Sequence, residues 1–279
     1  MDDIDRFLEE DLGAGDVTTA SISRNERLYA RMLCKERCVA AGLAETAEVF
    51  ARLGAKVNPL AKDGDWLDAG TPALEVEGSA QAVLSGERTA LNIVMRMSGI
   101  ATKTRMLVEA CRAVNPKVRV AATRKTTPGF RRFEKRAVVL GGGWPHRSGL
   151  YDMILVKDNH IQLAGGVAEA VRRVKAGAPA GLRVEVEVTS EEEAVAAAGI
   201  GVDVIMIDNA SPEEGGRIAA AVRKLAPGTE IEASGGITEE NAPDYAAWAD
   251  IVSLGSLTHS CESCDFSLEV IRVIRDGKA

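Results

Sequence analysis

Charged, polar or glycine residues follow directly after six apolar segments in the second half of the chain. The segments are candidate β-strands, at residues 118–122, 153–156, 184–188, 204–207, 230–233 and 251–254. The residues in them or next to their carboxyl ends that could do chemistry are Arg124, Lys125, Lys157, Glu185, Glu187, Asp208, Ser234, Gly235, Gly236, Gly255 and Ser256. Parallel strands present their carboxyl ends at one edge of a sheet or one mouth of a barrel. The pattern therefore predicts one shared site.

The cations of this site indicate an anionic ligand. They are Arg88, Arg124, Lys125, His146, Arg147 and Lys157. Collecting like charges in a pocket is unfavourable unless an anion neutralises them. Arginine binds a carboxylate or phosphate through two parallel hydrogen bonds, whereas lysine acts as a point charge. Solvated surface charge is the alternative, and it suits the arginines and lysines of residues 131–136, which fall on a predicted helix.

Two glycine turns follow the last two candidate strands, Ser234-Gly235-Gly236 and Gly255-Ser256. Backbone N–H groups of such turns can surround a phosphate at the start of a helix, and barrel enzymes often bind phosphate after their last strands. An ordinary strand-to-helix turn is the alternative for each. Two such turns on consecutive strands favour a phosphate site.

The carboxylates Glu185, Glu187 and Asp208 leave several roles open. They could bind sugar hydroxyls, hold Mg²⁺ with waters, stabilise a developing cation, or pair with the pocket cations. The residues alone therefore suggest a ligand with carboxylates at one end, a phosphate at the other and a hydroxylated part between. A phosphoribosyl donor together with an aromatic diacid fits that description.

Helical patterns alternate with most of the candidate strands, which predicts an α/β fold with a parallel sheet or barrel. Residues 80–114 form a long helical pattern, which Gly99 is predicted to interrupt. The chain has neither a GxGxxG after its first strand nor a GxxxxGK[ST] sequence, so a Rossmann or P-loop nucleotide site is not supported.

Composition narrows the possible partners. The formal net charge of −7 argues against general binding to nucleic acid or anionic membranes. No apolar run is long enough for a membrane span, and the acidic start MDDIDRFLEED lacks the features of a signal peptide, so we expect a cytoplasmic protein. The five cysteines include the pair Cys261 and Cys264, for which free thiols are expected rather than a zinc site.

Eight stretches of the chain resemble the quinolinate phosphoribosyltransferase family. They are EDLGAGDVTT at 10–19, SGERTALNIVMRMSGIAT at 85–102, TRKTTPGFRRFEKRAV at 123–138, GGGWPHRSGLYDMILVKDNHI at 141–161, VEVEV at 184–188, IDN at 207–209, ASGGI at 233–237 and LGSLTHS at 254–260. They span nearly the whole chain in the order of the family. One departure is Pro145, where the family is expected to have asparagine before the His-Arg pair.

The resemblance implies a fold and an assembly. An N-terminal α/β sandwich domain at residues 1–114, with the C-terminal tail packing on it, would precede an incomplete TIM-like α/β barrel of six or seven strands at residues 115–279. The protein would form a homodimer or a dimer-based oligomer. Arg88 would reach across the interface into the partner's site.

The resemblance also implies a reaction and a role for each residue. Quinolinate and phosphoribosyl diphosphate would give nicotinate mononucleotide, diphosphate and CO2, with Mg²⁺ as cofactor. Arg124, His146, Arg147 and Lys157 would grip the quinolinate carboxylates. Lys125, Glu187 and Asp208 would act in catalysis, the two acids at the ribose or its Mg²⁺. Ser234, Gly235, Gly236, Gly255 and Ser256 would hold the 5′-phosphate. A phosphoribosyltransferase for nicotinate or another heterocyclic acid, and a non-catalytic phosphometabolite-binding paralogue, remain as alternatives.

Overall fold

The computed structural model describes residues 2–179 and 181–275. In the first part of the chain the elements are α1 Asp3–Leu12, α2 Val17–Ile22, β1 Arg27–Cys34, β2 Cys38–Val39, α3 Leu43–Arg52, β3 Lys56–Pro59, β4 Trp66–Leu67, β5 Pro72–Ser79 and α4 Ala80–Val114. They continue with β6 Arg119–Ala121, α5 Arg131–Leu140, β7 Ile154–Val156, α6 Asp158–Ala164, α7 Val167–Gly177, β8 Val184–Val188, α8 Glu191–Ile200, β9 Val204–Asp208, α9 Pro212–Leu225, β10 Glu230–Ser234, α10 Ala242–Ala246, β11 Ile251–Ser253, α11 Ser256–His259 and β12 Phe266–Ile274.

The chain divides into two compact units. Among the described residues, the first contains residues 2–105, 128–141 and 261–275, and the second contains residues 106–127, 142–179 and 181–260. No helix in the described part of the chain is both long enough and apolar enough to cross a membrane.

The first unit is built on a four-stranded antiparallel sheet with the order β12-β1-β5-β3. Buried residues alternate along β1, as expected for a strand with one face in the core. Helix α1 begins at a capping box, in which Asp2 and Asp5 each accept the other's backbone N–H. Helix α2 begins at Asp16, whose carboxylate accepts the N–H groups of Thr18 and Thr19.

The C-terminal strand β12 pairs with β1 along its whole length, from Phe266 opposite Cys34 to Ile274 opposite Arg27. This strand was not among the six predicted from sequence, although the tail was expected to pack on the N-terminal part. The division into domains at residues 114 and 115 stays a prediction, and residues 1, 180 and 276–279 of its ranges lie outside the described residues.

The prediction that Gly99 interrupts the long helix is wrong, because α4 runs unbroken from Ala80 to Val114. Glycine serves a packing purpose there. A Cβ atom on Gly99 would lie 2.0 Å from the backbone oxygen of Glu262 and 3.1 Å from the Cα of Ser263. The missing side chain lets the segment before β12 cross close to the helix, and this close approach outweighs the low helix propensity of glycine.

We expect Gly99→Ala to lower the free energy of unfolding by about 1–3 kcal/mol, the usual cost of forcing extra atoms into a packed site. The clash is with backbone, which cannot move away as a flexible side chain can. Chemical denaturation measures the change. Gly199→Ala in α8 is the matched control, because nothing lies within 4 Å of the added Cβ. That variant should be unchanged or up to about 1 kcal/mol more stable. Equal stability of the two variants would contradict the close approach.

The second unit is built on six parallel strands with the order β6-β11-β10-β9-β8-β7. Val184, Val186 and Val188 of β8 pack in the apolar core that includes residues of α7, α8 and α9. A second, smaller cluster of Ala121, Met153, Val204 and Ile251 joins residues from both ends of the strand order. No pairing joins β6 to β7 among the described residues, so the barrel is incomplete. The predicted fold class, an α/β protein with an N-terminal α/β sandwich domain and an incomplete TIM-like barrel of six or seven strands, is confirmed.

Candidate active site

A cavity of about 590 Å³ lies in the second unit at the carboxyl ends of the six parallel strands. All the predicted site residues except Arg88 and Glu185 line it: Arg124, Lys125, His146, Arg147, Lys157, Glu187, Asp208, Ser234, Gly235, Gly236, Gly255 and Ser256. Each strand contributes through its last residues or through the loop that follows it. Parallel strands that end together explain why these residues, spread over more than half of the unit's sequence, face one space.

Arg124, Arg147 and Lys157 bring positive charge to this cavity. Arg147 is buried, and Arg124 Nε is buried without a hydrogen-bond partner among the described residues. Burial lowers the pKa of Arg147, and the neighbouring charge of Arg124 lowers it further. Because Arg124 and Arg147 share a partly enclosed space, each raises the electrostatic energy of the other. This repulsion favours the binding of an anion between them.

The glycine turns after β10 and β11 line the same cavity. Gly235 and Gly236 have positive φ angles of 80° and 62°, which glycine adopts without strain. A Cβ atom on Gly235 would lie 2.4 Å from the Asn209 side chain, so a larger residue does not fit. The hydroxyl of Ser256 is buried and has no hydrogen-bond partner in the described part of the chain. An unsatisfied donor beside open backbone turns suits an anionic oxygen such as that of a phosphate.

Lys125 lies against the second of these turns. A Cβ atom on Gly255 would be 2.8 Å from Lys125 Cδ and 2.9 Å from the ring of His259, so glycine leaves room for both side chains. Thr258 Oγ1 donates to the backbone oxygen of Lys125 at 2.7 Å, which fixes the backbone of that lysine. Lys125 itself is exposed, with its ammonium group available to a ligand.

Two carboxylates face the cavity from neighbouring strands. Glu187 Oε2 lies 2.5 Å from Lys157 Nζ. Asp208, at the end of β9, lies in register with Ser234 of β10 and accepts a hydrogen bond from Asn209 Nδ2 at 2.5 Å. Oxygen donors of this kind suit Mg²⁺. The pairing of Glu187 with Lys157 also agrees with the simpler expectation that pocket acids balance pocket cations.

A buried cluster of His146, Glu185 and Glu232 lies where the strand interiors meet the cavity. His146 Nε2 lies 3.2 Å from Glu232 Oε2 and 3.3 Å from Glu185 Oε2, and both glutamates are fully buried. Burial raises the pKa of Glu185 and the charge of Glu232 raises it further, to about 7. Burial lowers the pKa of His146 and the two nearby carboxylates raise it more, but the backbone N–H of Arg147, which donates to Nδ1, favours the neutral ring with its hydrogen on Nε2.

Glu232 was not singled out from sequence. The signal was available, since Glu-Ile-Glu at 230–232 repeats the alternation of Glu185 and Glu187. In β10, as in β8, the acid that lines the cavity is the second of the pair, while Glu230 accepts hydrogen bonds from Arg119 and Arg183. Arg88 does not line the cavity and is exposed on α4 in the first unit.

These features define an incomplete α/β barrel whose cavity suits a substrate with several negative charges. Family models for the N-terminal and C-terminal domains of quinolinate phosphoribosyl transferase match residues 16–98 and 100–269. The chain belongs to the quinolinate phosphoribosyltransferase family.

Relatives and solved structures agree with this assignment. The chain is 43% identical over 275 residues to a probable carboxylating nicotinate-nucleotide pyrophosphorylase of Methanothermobacter thermautotrophicus, covering 97% of this chain and 98% of the relative. It is 40% identical to the carboxylating nicotinate-nucleotide pyrophosphorylase of Homo sapiens, covering 96% and 90%. The crystal structure of NadC from Streptococcus pyogenes aligns with a TM-score of 0.91 at 38% identity, covering 98% of this chain and 96% of that one.

Proposed function

We propose that this protein transfers the phosphoribosyl group of phosphoribosyl diphosphate to quinolinate and releases CO2, giving nicotinate mononucleotide and diphosphate in NAD biosynthesis. One observation carries the proposal. The buried Arg147, the half-buried Arg124 and two open glycine turns line a single cavity, with carboxylates also facing it. A diacid and a phosphorylated sugar can therefore be held together, as the reaction requires.

The acid would bind at the cations. Arg124 and Arg147 are suited to form paired hydrogen bonds with carboxylates, and Lys157 adds a point charge. Quinolinate has two adjacent carboxylates, so it can satisfy more than one of these groups at once. His146 lies on the same loop as Arg147 and completes this part of the site.

The phosphorylated sugar would bind on the other side. Gly235, Gly236 and Gly255 leave backbone N–H groups accessible, and Ser234 and Ser256 add hydroxyl groups. Lys125, next to Gly255, would interact with both substrates. Fixing the two substrates in this way supplies much of the catalysis, because it replaces a chance encounter with a defined geometry.

The chemistry then proceeds in two stages. The pyridine nitrogen forms a bond to the ribosyl carbon as the bond to diphosphate breaks, and the leaving oxygen keeps the electron pair. Glu187 and Asp208 would stabilise the positive charge that develops on the ribose. The new pyridinium nitrogen draws electrons, so the C–C bond to the adjacent carboxylate breaks, CO2 leaves, and the ring carbon takes a proton.

Mg²⁺ fits this arrangement. Glu187 and Asp208 would hold it, directly or through water, since both offer carboxylate oxygens to the cavity. When bound, the ion would neutralise the charge of the diphosphate group.

A direct assay tests the function. The purified protein is mixed with phosphoribosyl diphosphate, Mg²⁺ and either quinolinate or nicotinate, and nicotinate mononucleotide and CO2 are followed. Turnover with quinolinate alone is the expected result. Turnover with nicotinate alone would overturn the diacid pocket but keep the phosphate site. Binding of phosphoribosyl diphosphate without turnover of any acid would support the non-catalytic alternative.

We also propose that two copies of the chain share their sites and that the enzyme works in the cytoplasm. Large apolar side chains are exposed on both units, among them Val17 and Ile22 of α2 and Leu150, Tyr151 and Leu163 of the second unit. Such residues favour contact with another protein surface. No disulfide is formed by the five cysteines, all of which lie in the described part of the chain, and this suits a reducing compartment.

Shared sites predict complementation between two inactive variants. In an Arg88→Ala and Arg147→Ala mixture, half of the randomly exchanged dimers are mixed, and each mixed dimer keeps one intact site. Activity should therefore recover to about a quarter of the wild-type value. Turnover is measured after subunit exchange, which differently tagged chains verify. Exchange without any recovery would show that Arg88 does not act in the partner's site.

A further inference from the structure

The loop that carries His146 and Arg147 is fixed to the barrel on one side by backbone hydrogen bonds. Trp144 N donates to Val120 O at 2.7 Å, and Ala122 N donates to Trp144 O at 3.0 Å. Two residues later the chain reaches His146, whose φ of 54° is unusual for a residue other than glycine. Such a conformation persists when neighbouring contacts impose it, and the contacts of the His146 ring are the candidates.

The hydrogen bonds of the ring define its tautomer. Arg147 N donates to His146 Nδ1 at 2.8 Å, so Nδ1 carries no hydrogen. The ring hydrogen is therefore on Nε2, where Glu232 Oε2 accepts it at 3.2 Å. The ring thus links the backbone of Arg147 on one side with the carboxylate of β10 on the other.

This tautomer also argues against a metal ion in the cluster. His146, Glu185 and Glu232 offer three ligand atoms within 4.8 Å of one another. A metal ion would need the lone pair of Nε2, and the ring would then have to place its hydrogen on Nδ1. The Arg147 N–H already donates to Nδ1, so the arrangement suits a chain of hydrogen bonds from Arg147 through His146 to Glu232 and not a metal site.

We propose that Glu232 is a positioning residue for the acid subsite. By accepting the Nε2–H of His146, Glu232 fixes the orientation of the ring, and the ring in turn fixes the backbone of Arg147 through Nδ1. The Arg147 guanidinium is thereby held in the orientation that presents it to the substrate carboxylates. This inference rests on the proposed function, in which Arg147 binds quinolinate. Glu232 is fully buried, and its Oε1 has no hydrogen-bond partner among the described residues. The contact of its Oε2 with His146 is therefore well placed to orient the histidine ring.

Removal of the acceptor should weaken acid binding selectively. We expect Glu232→Ala to raise the KM for quinolinate and its Kd by about tenfold or more, because small displacements of positioned groups have effects of that size. The KM for phosphoribosyl diphosphate should stay near the wild-type value. Glu232→Gln keeps an acceptor oxygen for Nε2–H and should recover most of the loss. Glu230→Gln, the same change on the same strand, is the control.

A double-mutant cycle separates positioning from general destabilisation. If Glu232 acts through His146, the variant with both residues changed to alanine should bind quinolinate no more weakly than His146→Ala alone. Additive losses, or an equal rise in both KM values, would overturn the proposal, as would a folded Glu232→Ala protein with wild-type affinity for quinolinate. Calorimetric binding of quinolinate is the readout that does not require turnover. A wild-type protein that neither binds nor converts quinolinate would contradict the proposed function first.

Discussion

The Arg147→Ala variant is expected to lose about 100-fold or more in kcat/KM for quinolinate while keeping its fold. Hydrogen bonds to charged groups contribute about 1.5–3 kcal/mol each, and arginine forms two of them with a carboxylate. A loss of about 3 kcal/mol corresponds to a factor of more than 100. Steady-state kinetics with each substrate varied in turn measures the effect.

The Arg147→Ala variant should keep its fold. Removing Arg147 also removes a charge that neighbouring Arg124 disfavours, so we expect no large loss of stability. Circular dichroism and thermal unfolding would verify this. Arg172→Ala is the control, because Arg172 lies in an exposed pair with Glu169 on α7. A folded Arg147→Ala protein with near-normal turnover would remove that arginine from the site.

The Asp208→Asn variant is expected to lose about 100- to 1,000-fold in kcat, the usual effect of removing one group that stabilises charge in the transition state. Asparagine keeps the shape of the side chain and an oxygen for the hydrogen bond from Asn209, so the change removes charge alone. The KM for quinolinate should change little, because the acid binds at the cations. Turnover measured over a range of Mg²⁺ concentrations checks the result.

The Mg²⁺ series also identifies what Asp208 does. If the loss is recovered at high Mg²⁺, the carboxylate mainly holds the ion; if it persists, the carboxylate mainly stabilises the ribose cation. Asp244→Asn, an exposed residue of α10, is the control. Unchanged kcat at every Mg²⁺ concentration would exclude both roles.

The barrel and its site could be predicted from sequence because local patterns determine them. Each parallel strand is a short apolar run, and each is followed at once by the residues that face the cavity, so locating the strand also locates the site residue. Lys157 and Asp208 are examples, since Lys157 directly follows β7 and Asp208 is the last residue of β9. The roles of these residues stay predictions until they are tested by substitution.

Features that depend on contacts between distant segments could not be predicted in the same way. A glycine such as Gly99 within a helical pattern predicts a break in the helix. Only the neighbouring backbone of Glu262 shows that Gly99 is there to allow close packing. Glu232 lies 86 residues from the histidine that it contacts. Strand β12 has apolar residues suited to a strand, but its partner β1 is near the other end of the chain.

The pairing of β1 with β12 has a consequence for synthesis on the ribosome. Strand β1 is synthesised more than 200 residues before its partner β12. Until β12 has been synthesised, one edge of β1 has its N–H and C=O groups unpaired, and such an edge can pair with other chains. The parallel barrel, by contrast, has all six of its strands before residue 254. All six barrel strands are therefore synthesised before β12, and the four-stranded sheet of the first unit depends on this late strand to cover the edge of β1.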